Sequence, residues 1–237
     1  MPSKPFERLR FAPMKILAVD TALGACSVAV LKNGETLAHR FEAMDRGHAE
    51  ALAPMVEAAM RDASIEFSAL DRLAVTTGPG TFTGQRVGLA FMRGLRIALK
   101  RPLAGITTLN VMCAAAIAEA DCRYAAAIHD ARRSEAYLAI TVGDETLLMP
   151  TLVSLDDAAS VVAANLPTGQ AIALAGTAAE RVEKDLLATG CKPRFTSIRQ
   201  PDALWVARLG LRAEEPKEVP VPLYLRAPDA KLPMAKA

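Results

Sequence analysis

The sequence predicts an α/β protein built from two similar mixed units that face each other across a cleft. Three observations predict it. Short runs of small apolar residues alternate with segments of helical period along most of the chain. The order strand–strand–strand–helix–strand–helix is read twice, and the two passages match locally. Ala18-Val19-Asp20 followed by Cys26-Ser27-Val28-Ala29-Val30 lies against Ile128-His129-Asp130 followed by Glu135-Ala136-Tyr137-Leu138-Ala139. The 237 residues then divide into two copies of about 110, longer than a solenoid repeat.

Each element has a local reason. Ile16–Val19 is a continuous apolar run, so Lys15–Val19 reads as a buried strand, and Asp20–Gly24 is a polar turn. Cys26–Leu31 is the second strand. Asn33-Gly34 marks a type I′ hairpin, because both central residues need positive φ, and Glu35–Phe41 returns from it. His48–Asp62 places Leu52, Met55, Val56, Ala59 and Met60 at helical spacing. Leu73–Thr77 is a strand, Gly78–Gly84 a loop, Gln85–Lys100 a helix and Leu103–Thr107 a strand. Leu109–Ala120 is an Ala-rich helix with no polar face, therefore buried.

The second pass gives strands at Tyr124–His129, Glu135–Val142 and Thr146–Val153, with a turn at Gly143-Asp144. A helix at Leu155–Asn165, a strand at Ala171–Ala175 and helices at Thr177–Ala188 and Asp202–Ala213 follow. The expected organisation is a flexible arm over 1–13, lobes at 14–108 and 109–215, and a tail over 216–237. The tail carries five prolines, so it is neither a regular helix nor a central strand. Pro222–Arg226 is its one ordered patch, expected to pack back on the body.

Composition excludes several classes. Lys and Arg total 28 against 26 Asp and Glu, a net charge of +2, too balanced for nucleic-acid binding by bulk charge, although a local patch remains open. No apolar run is long enough for a transmembrane helix, and the first residues lack a signal-peptide core. Cys26, Cys113, Cys122 and Cys191 have no metal or redox spacing, so reduced, buried thiols in a cytoplasmic protein are expected.

Four features could carry chemistry. In Gly78-Pro79-Gly80-Thr81-Phe82-Thr83-Gly84, backbone N–H groups and the Thr81 and Thr83 hydroxyls could cradle an anion at a helix start, or the segment is a rigid turn. It is neither a Walker A loop nor G-x-G-x-x-G. Asp20-Thr21 ends the first strand, where Asp20 could hold Mg²⁺ and phosphate or merely cap the turn. His39, His48 and His129 share no metal-ligand spacing. On Gln85–Lys100, residues Val87, Gly88, Phe91, Met92, Gly94, Leu95, Ala98 and Leu99 form one arc. Arg86, Arg93, Arg96, Lys100 and Arg101 share the other with Leu89, Ala90 and Ile97. Apolar residues among cations, beside a first helix with a wide apolar arc, suggest a protein–protein interface, unless the other helix or the C-terminal tail covers them. A polyanion such as tRNA is the other reading of the cations.

These residues resemble the bacterial TsaB (YeaZ) family. The resemblance rests on Met14–Val30, on His48–Met55, on Gly78-Pro-Gly-Thr-Phe-Thr-Gly-Gln-Arg86 above all, on Gly105–Leu109, on Asp130–Arg133 with Glu135 and Tyr137, and on Pro222-Leu-Tyr-Leu-Arg226. It covers residues 14 to about 230. It implies a duplicated fold of the actin/sugar kinase/Hsp70 (ribonuclease H-like) superfamily. It also implies a non-catalytic, cytoplasmic role in making N6-threonylcarbamoyladenosine at position 37 of tRNAs that read ANN codons. The implied partners are TsaD, as a heterodimer, and the ATPase TsaE, with a homodimer when TsaD is absent and tRNA met only through the complex. The metal-binding histidine pair of TsaD would fall on Asn110 and Ala114 here, so no metal and no transferase activity are expected. The implied interface is Leu52, Met55, Val56, Ala59 and Met60 with Arg86, Leu89, Ala90, Arg93 and Ile97. Asp20, Thr21, Gly78, Gly80, Thr81, Thr83 and Gly84 become a vestigial phosphate loop. No cofactor is expected to bind tightly, with ATP or ADP only inside the complex. The alternative is an ATP-using phosphotransferase or hydrolase of the same fold, with Asp20 at the Mg-phosphate.

Overall fold

A computed structural model describes residues 14–226. The expected arm over 1–13 and the end of the tail, 227–237, lie outside the described residues. In the first half β1 (Lys15–Asp20), β2 (Ala25–Lys32) and β3 (Glu35–Ala43) precede α1 (His48–Asp62), β4 (Arg72–Thr76), α2 (Phe82–Leu99), β5 (Leu103–Ile106) and α3 (Thr108–Ala120). In the second, β6 (Tyr124–Arg132), β7 (Glu135–Val142) and β8 (Glu145–Ser154) precede α4 (Leu155–Ala164), β9 (Ala171–Ala175), α5 (Glu183–Ala188), β10 (Lys192–Phe195) and α6 (Ala203–Arg212).

The duplication therefore extends further than the sequence predicts, by one strand and one helix per half. The sheets run β3-β2-β1-β4-β5 and β8-β7-β6-β9-β10, the same order in both. In each, the first strand pairs antiparallel with the second and parallel with the fourth. Asn33 and Gly34 both have positive φ, as the hairpin signal requires.

Two expected segments change. The helix predicted over Thr177–Ala188 is a 3-10 turn at Ala179–Val182 followed by the six-residue α5. The four-residue β10 was not anticipated: Lys-Pro-Arg-Phe is mostly exposed, lacks an apolar alternation, and sits at the sheet edge where a proline is tolerated.

The central strands are buried on both faces, which is why they read as unbroken apolar runs. On one face of the first sheet, Leu17, Val19, Leu73 and Val75 pack with Leu52, Val56 and Met60 of α1 and Leu89 and Met92 of α2. On the other, Ile16, Ala18 and Ala74 pack with Val206, Ala207 and Leu211 of α6. In the second sheet Ala126 and Ile128 face α4 and α5, whereas Ala125 and Ala127 face Leu109, Met112 and Ala116 of α3. The last helix of each repeat thus covers the sheet of the other repeat. Small residues permit this: a Cβ on Gly210 of α6 would lie 2.8 Å from the Ala74 Cβ. Arg72 of β4 closes the α6 C-terminus by donating to the carbonyls of Gly210 at 2.8 Å and Ala213 at 2.6 Å.

All four cysteines are buried and free. Burial pushes the Cys26 and Cys113 thiols up to about 12, so neither is a thiolate near neutral pH. No helix among the described residues is long and apolar enough to cross a membrane.

Candidate functional site: the cleft mouth and the α1–α2 surface

The polar turn after β1 and the Gly-rich loop before α2 meet. α2 begins at Phe82, three residues earlier than expected, so Thr83 and Gly84 are helical and the loop ends at the N-cap Thr81. The Thr81 hydroxyl accepts from the Gly84 N–H at 3.0 Å, and the Thr81 N–H donates to the Ala22 carbonyl at 2.8 Å. The Thr21 hydroxyl donates to the Gly84 carbonyl at 2.7 Å and accepts from the Gly88 N–H at 3.0 Å.

The glycines here serve close approach. A Cβ on Gly80 would lie 2.3 Å from the Ala22 oxygen, and one on Gly84 2.2 Å from the Thr21 oxygen. Gly78, at φ 106°, holds a left-handed conformation. The Thr21–Ala22 backbone lies against the loop, and the Ala22 carbonyl takes the Thr81 N–H that an anion would use. Leu23, next along the turn, is buried with α3 and the second sheet.

Asp20 is fully buried. Its Oδ1 accepts from Thr76 Oγ1 at 2.6 Å and from the Ala22 N–H at 3.2 Å, while Oδ2 has no partner. Desolvation raises its pKa from 3.8 to about 7 despite those bonds. Asp20 is thus a buried carboxyl with one oxygen held by the turn and one left without a partner. His48 follows the N-cap Gly47 and is buried; its Nε2 lies 3.0 Å from the Leu23 carbonyl and fixes the turn.

The interface expected on α1 and α2 needs correction. Leu52, Val56, Ala59, Met60 and Leu89 are at most 3% exposed and fill the core against the sheet. Leu89 lies on the inward face of α2, not among the arginines. The wide apolar arcs are absorbed by two contacts, helix to sheet and helix to helix. What stays outside is Met55, half-buried with Phe91 and Leu95, together with the exposed Ala90, Ala98 and Ile97, the last at 72%.

Two of the α2 cations also have unexpected work. Arg93 donates to the Pro220 carbonyl through Nε at 3.1 Å and Nη2 at 2.5 Å. Arg86 donates to the Tyr224 hydroxyl at 2.8 Å, with its guanidinium carbon 3.5 Å from the Phe82 ring centre. The stretch 216–226 is a strap. Its Leu223 N–H donates to the Thr77 carbonyl at 2.7 Å, and Arg226 pairs with Glu135 and donates to the Ala131 carbonyl at 3.0 Å. Gly105 leaves room for it, since a Cβ there would lie 2.7 Å from Pro220. The expected packing of Pro222–Arg226 is thus found.

The family model described as "TsaD: tRNA N6-adenosine threonylcarbamoyltransferase" matches residues 36–199. The tRNA threonylcarbamoyladenosine biosynthesis protein TsaB of Escherichia coli K12 is 37% identical over 132 residues, 56% of this chain and 57% of that protein. The chain thus spans little more than half the length of that relative. An uncharacterised protein of Mycobacterium tuberculosis H37Rv is 33% identical over 218 residues, 91% of this chain and 93% of its own. Among solved structures, YeaZ from Pseudomonas aeruginosa aligns with a TM-score of 0.71 at 27% identity, covering 90% of this chain and 100% of that one. Component A of the (R)-2-hydroxyglutaryl-CoA dehydratase of Acidaminococcus fermentans, at TM-score 0.51 and 12% identity, shares the fold alone. With sequence, motif and both sheets in agreement, the chain belongs to the TsaB/YeaZ family, within the broader family that the TsaD model describes.

Proposed function

We propose that this chain is a non-catalytic subunit of the machinery that adds threonylcarbamoyl to adenosine 37 of tRNAs reading ANN codons. It pairs with TsaD and supports TsaE binding. The observation that carries the pairing is the apolar surface left on α1 and α2 once the core is filled, made of Met55, Ala90, Ala98 and Ile97. A helix pair with small residues outside lets a second helix pair approach closely. The non-catalytic part is supported by the cleft. Thr21 and Ala22 occupy the Gly-rich loop, Asp20 is buried, and Asn110 and Ala114 stand where the resemblance puts the histidine pair of TsaD.

The test is capture of TsaD from the native cell by the tagged chain, with threonylcarbamoyl transfer measured on the chain alone and on the captured complex. Capture of TsaD together with transfer only by the complex supports the proposal. Transfer by the lone chain, or equal capture by wild type and by an Ile97→Asp, Met55→Asp double variant, overturns it.

A further inference from the structure

We infer that Phe82, Tyr224 and Arg86 form a stacking platform for an unpaired base of an RNA strand where the start of α2 meets the strap. Phe82 is 52% exposed and Tyr224 45% exposed, yet the two rings stack with centroids 5.9 Å apart and planes 28° from parallel. Arg86 locks them, with its guanidinium 3.5 Å from the Phe82 centre and 5.7 Å from the Tyr224 centre and a hydrogen bond to the Tyr224 hydroxyl. As an anchor for the strap alone this arrangement is wasteful. Leu223 N–H, Arg93 and Arg226 already hold the strap, and an anchoring ring is best turned inward. Two half-exposed, stacked aromatic side chains with a cation against them suit a nucleobase, which offers a π-face whatever its identity.

The surrounding charge agrees. α2 has no acidic residue, and Arg86 is exposed in its first turns; Lys100, at the far end, shares a pocket with Glu215 and with Glu218 of the strap. On the other lobe Arg226 bonds the Ala131 carbonyl, which brings the strap beside the exposed Arg132. The carboxylates of that turn are engaged, Glu135 by Arg226 and Asp130 by Arg181. Arg86, Arg132 and Arg226 therefore bring three cations to this rim although the whole chain is nearly neutral. A single strand is the occupant, because a duplex buries its base faces. The inference rests on the proposed role with tRNA and adds a direct RNA contact by this subunit.

Fluorescence anisotropy of the full chain alone, at low salt, with a labelled single-stranded oligoadenylate and a blunt RNA duplex, tests it. The expected result is binding of the single strand over the duplex, weakened about tenfold or more by Phe82→Ala and by Tyr224→Ala. Tyr224→Phe, which keeps the ring and removes only the bond to Arg86, stays near wild type. No single-strand binding, equal binding of duplex, or unchanged affinity in both alanine variants overturns it. So does a folded Phe82→Ala chain that keeps RNA binding and loses TsaD capture, which identifies a protein surface. Stacking-dependent RNA binding in a chain that captures no TsaD supports the platform and sinks the proposed function instead.

Discussion

Asp20 and His129 occupy corresponding faces of the two central strands, and burial pushes them in opposite directions. Asp20 shares the face of Ile16 and Ala18 toward α6, and His129 that of Ala125 and Ala127 toward α3. Desolvation raises Asp20 from 3.8 to about 7, and lowers His129 from 6.5 to about 4, with Asp130 opposing the second shift. Between about pH 4 and 7 the folded state holds more protons at Asp20 than the unfolded chain, so this group makes stability fall as pH rises. Between about 6.5 and 4 the folded state holds fewer at His129, so this group makes stability fall as pH drops. The two slopes oppose each other over nearly the same window.

Wild type is therefore expected to show a nearly flat stability between about pH 4.5 and 6.5 from these groups. Asp20→Asn keeps an acceptor for Thr76 and removes the titration. It should be as stable as wild type near pH 4 and more stable by up to a few kcal/mol at pH 8. It should also lose stability on acidification, because His129 is no longer balanced. Urea unfolding at a series of pH values checks this; parallel pH profiles for the two proteins would refute it.

Two glycines of α2 should respond to alanine with opposite signs. Gly94 has nothing within 4 Å of an added Cβ, so Gly94→Ala gains helix propensity of about 1 kcal/mol. At Gly84 the same gain is offset by a Cβ 2.2 Å from the Thr21 oxygen and 2.6 Å from Thr81 Oγ1. Backbone must move, and the net cost is about 1–3 kcal/mol. Thermal melts of the two variants measure the difference. A stabilised Gly84→Ala chain would mean that the turn and the loop are not in contact.

If the cleft is closed in this way, isothermal calorimetry of Mg-ATP against the lone chain should give no heat of binding at micromolar affinity. Opening the contact with Thr21→Gly should not by itself create a site, because Asp20 stays buried and Leu23 remains wedged against the second sheet. Micromolar binding by wild type favours the phosphotransferase reading instead.

The strands of this protein were legible because burial on both faces leaves an unbroken apolar run, as in Ile16–Val19 and Ala171–Ala175. The Asn33-Gly34 hairpin was legible because its φ values admit few other residues. Depth of burial was not. Periodicity marks which residues of α2 share a face, but not how many neighbours that face meets, so Leu89 was placed outside when it faces β-strands. The strap contact was hidden for another reason. Arg86 and Tyr224 are 138 positions apart, and no local pattern connects a helix cation with a tail tyrosine. Asp20 was singled out for the chemistry of its type; its full burial follows only from the packing of α6 and of the Thr21–Gly24 turn over it.

The correction at Leu89 separates folding from partnering. Leu89→Asp would bury a carboxylate in the first-lobe core, at a cost of about 4 kcal/mol or more, and should unfold or strongly destabilise the chain. Ile97→Asp, at a position 72% exposed, should change stability by no more than about 0.5 kcal/mol. Circular dichroism melts give the two values. Only the second variant can report on TsaD capture, and a large loss of stability there would place Ile97 in the core instead.

The strap spans both lobes through a short chain of contacts: Thr77 carbonyl to Leu223 N–H on one side, Glu135 and the Ala131 carbonyl to Arg226 on the other. The ion pair is partly exposed, at 24% for the Arg226 side chain and 36% for Glu135, so its own worth is about 1 kcal/mol or less. Arg226→Ala should accordingly cost only about 1 kcal/mol in global stability. Its local effect should be larger, because the strap then has no hold on the second lobe. Hydrogen exchange should accelerate at the Leu223 N–H, which only the strap protects, and stay slow in β1 and β4, whose N–H groups lie in the sheet. Glu135→Gln keeps an acceptor for Arg226 and should accelerate the same amide less. Unchanged protection of Leu223 in Arg226→Ala would mean that Arg86 and Arg93 hold the strap without help from the second lobe.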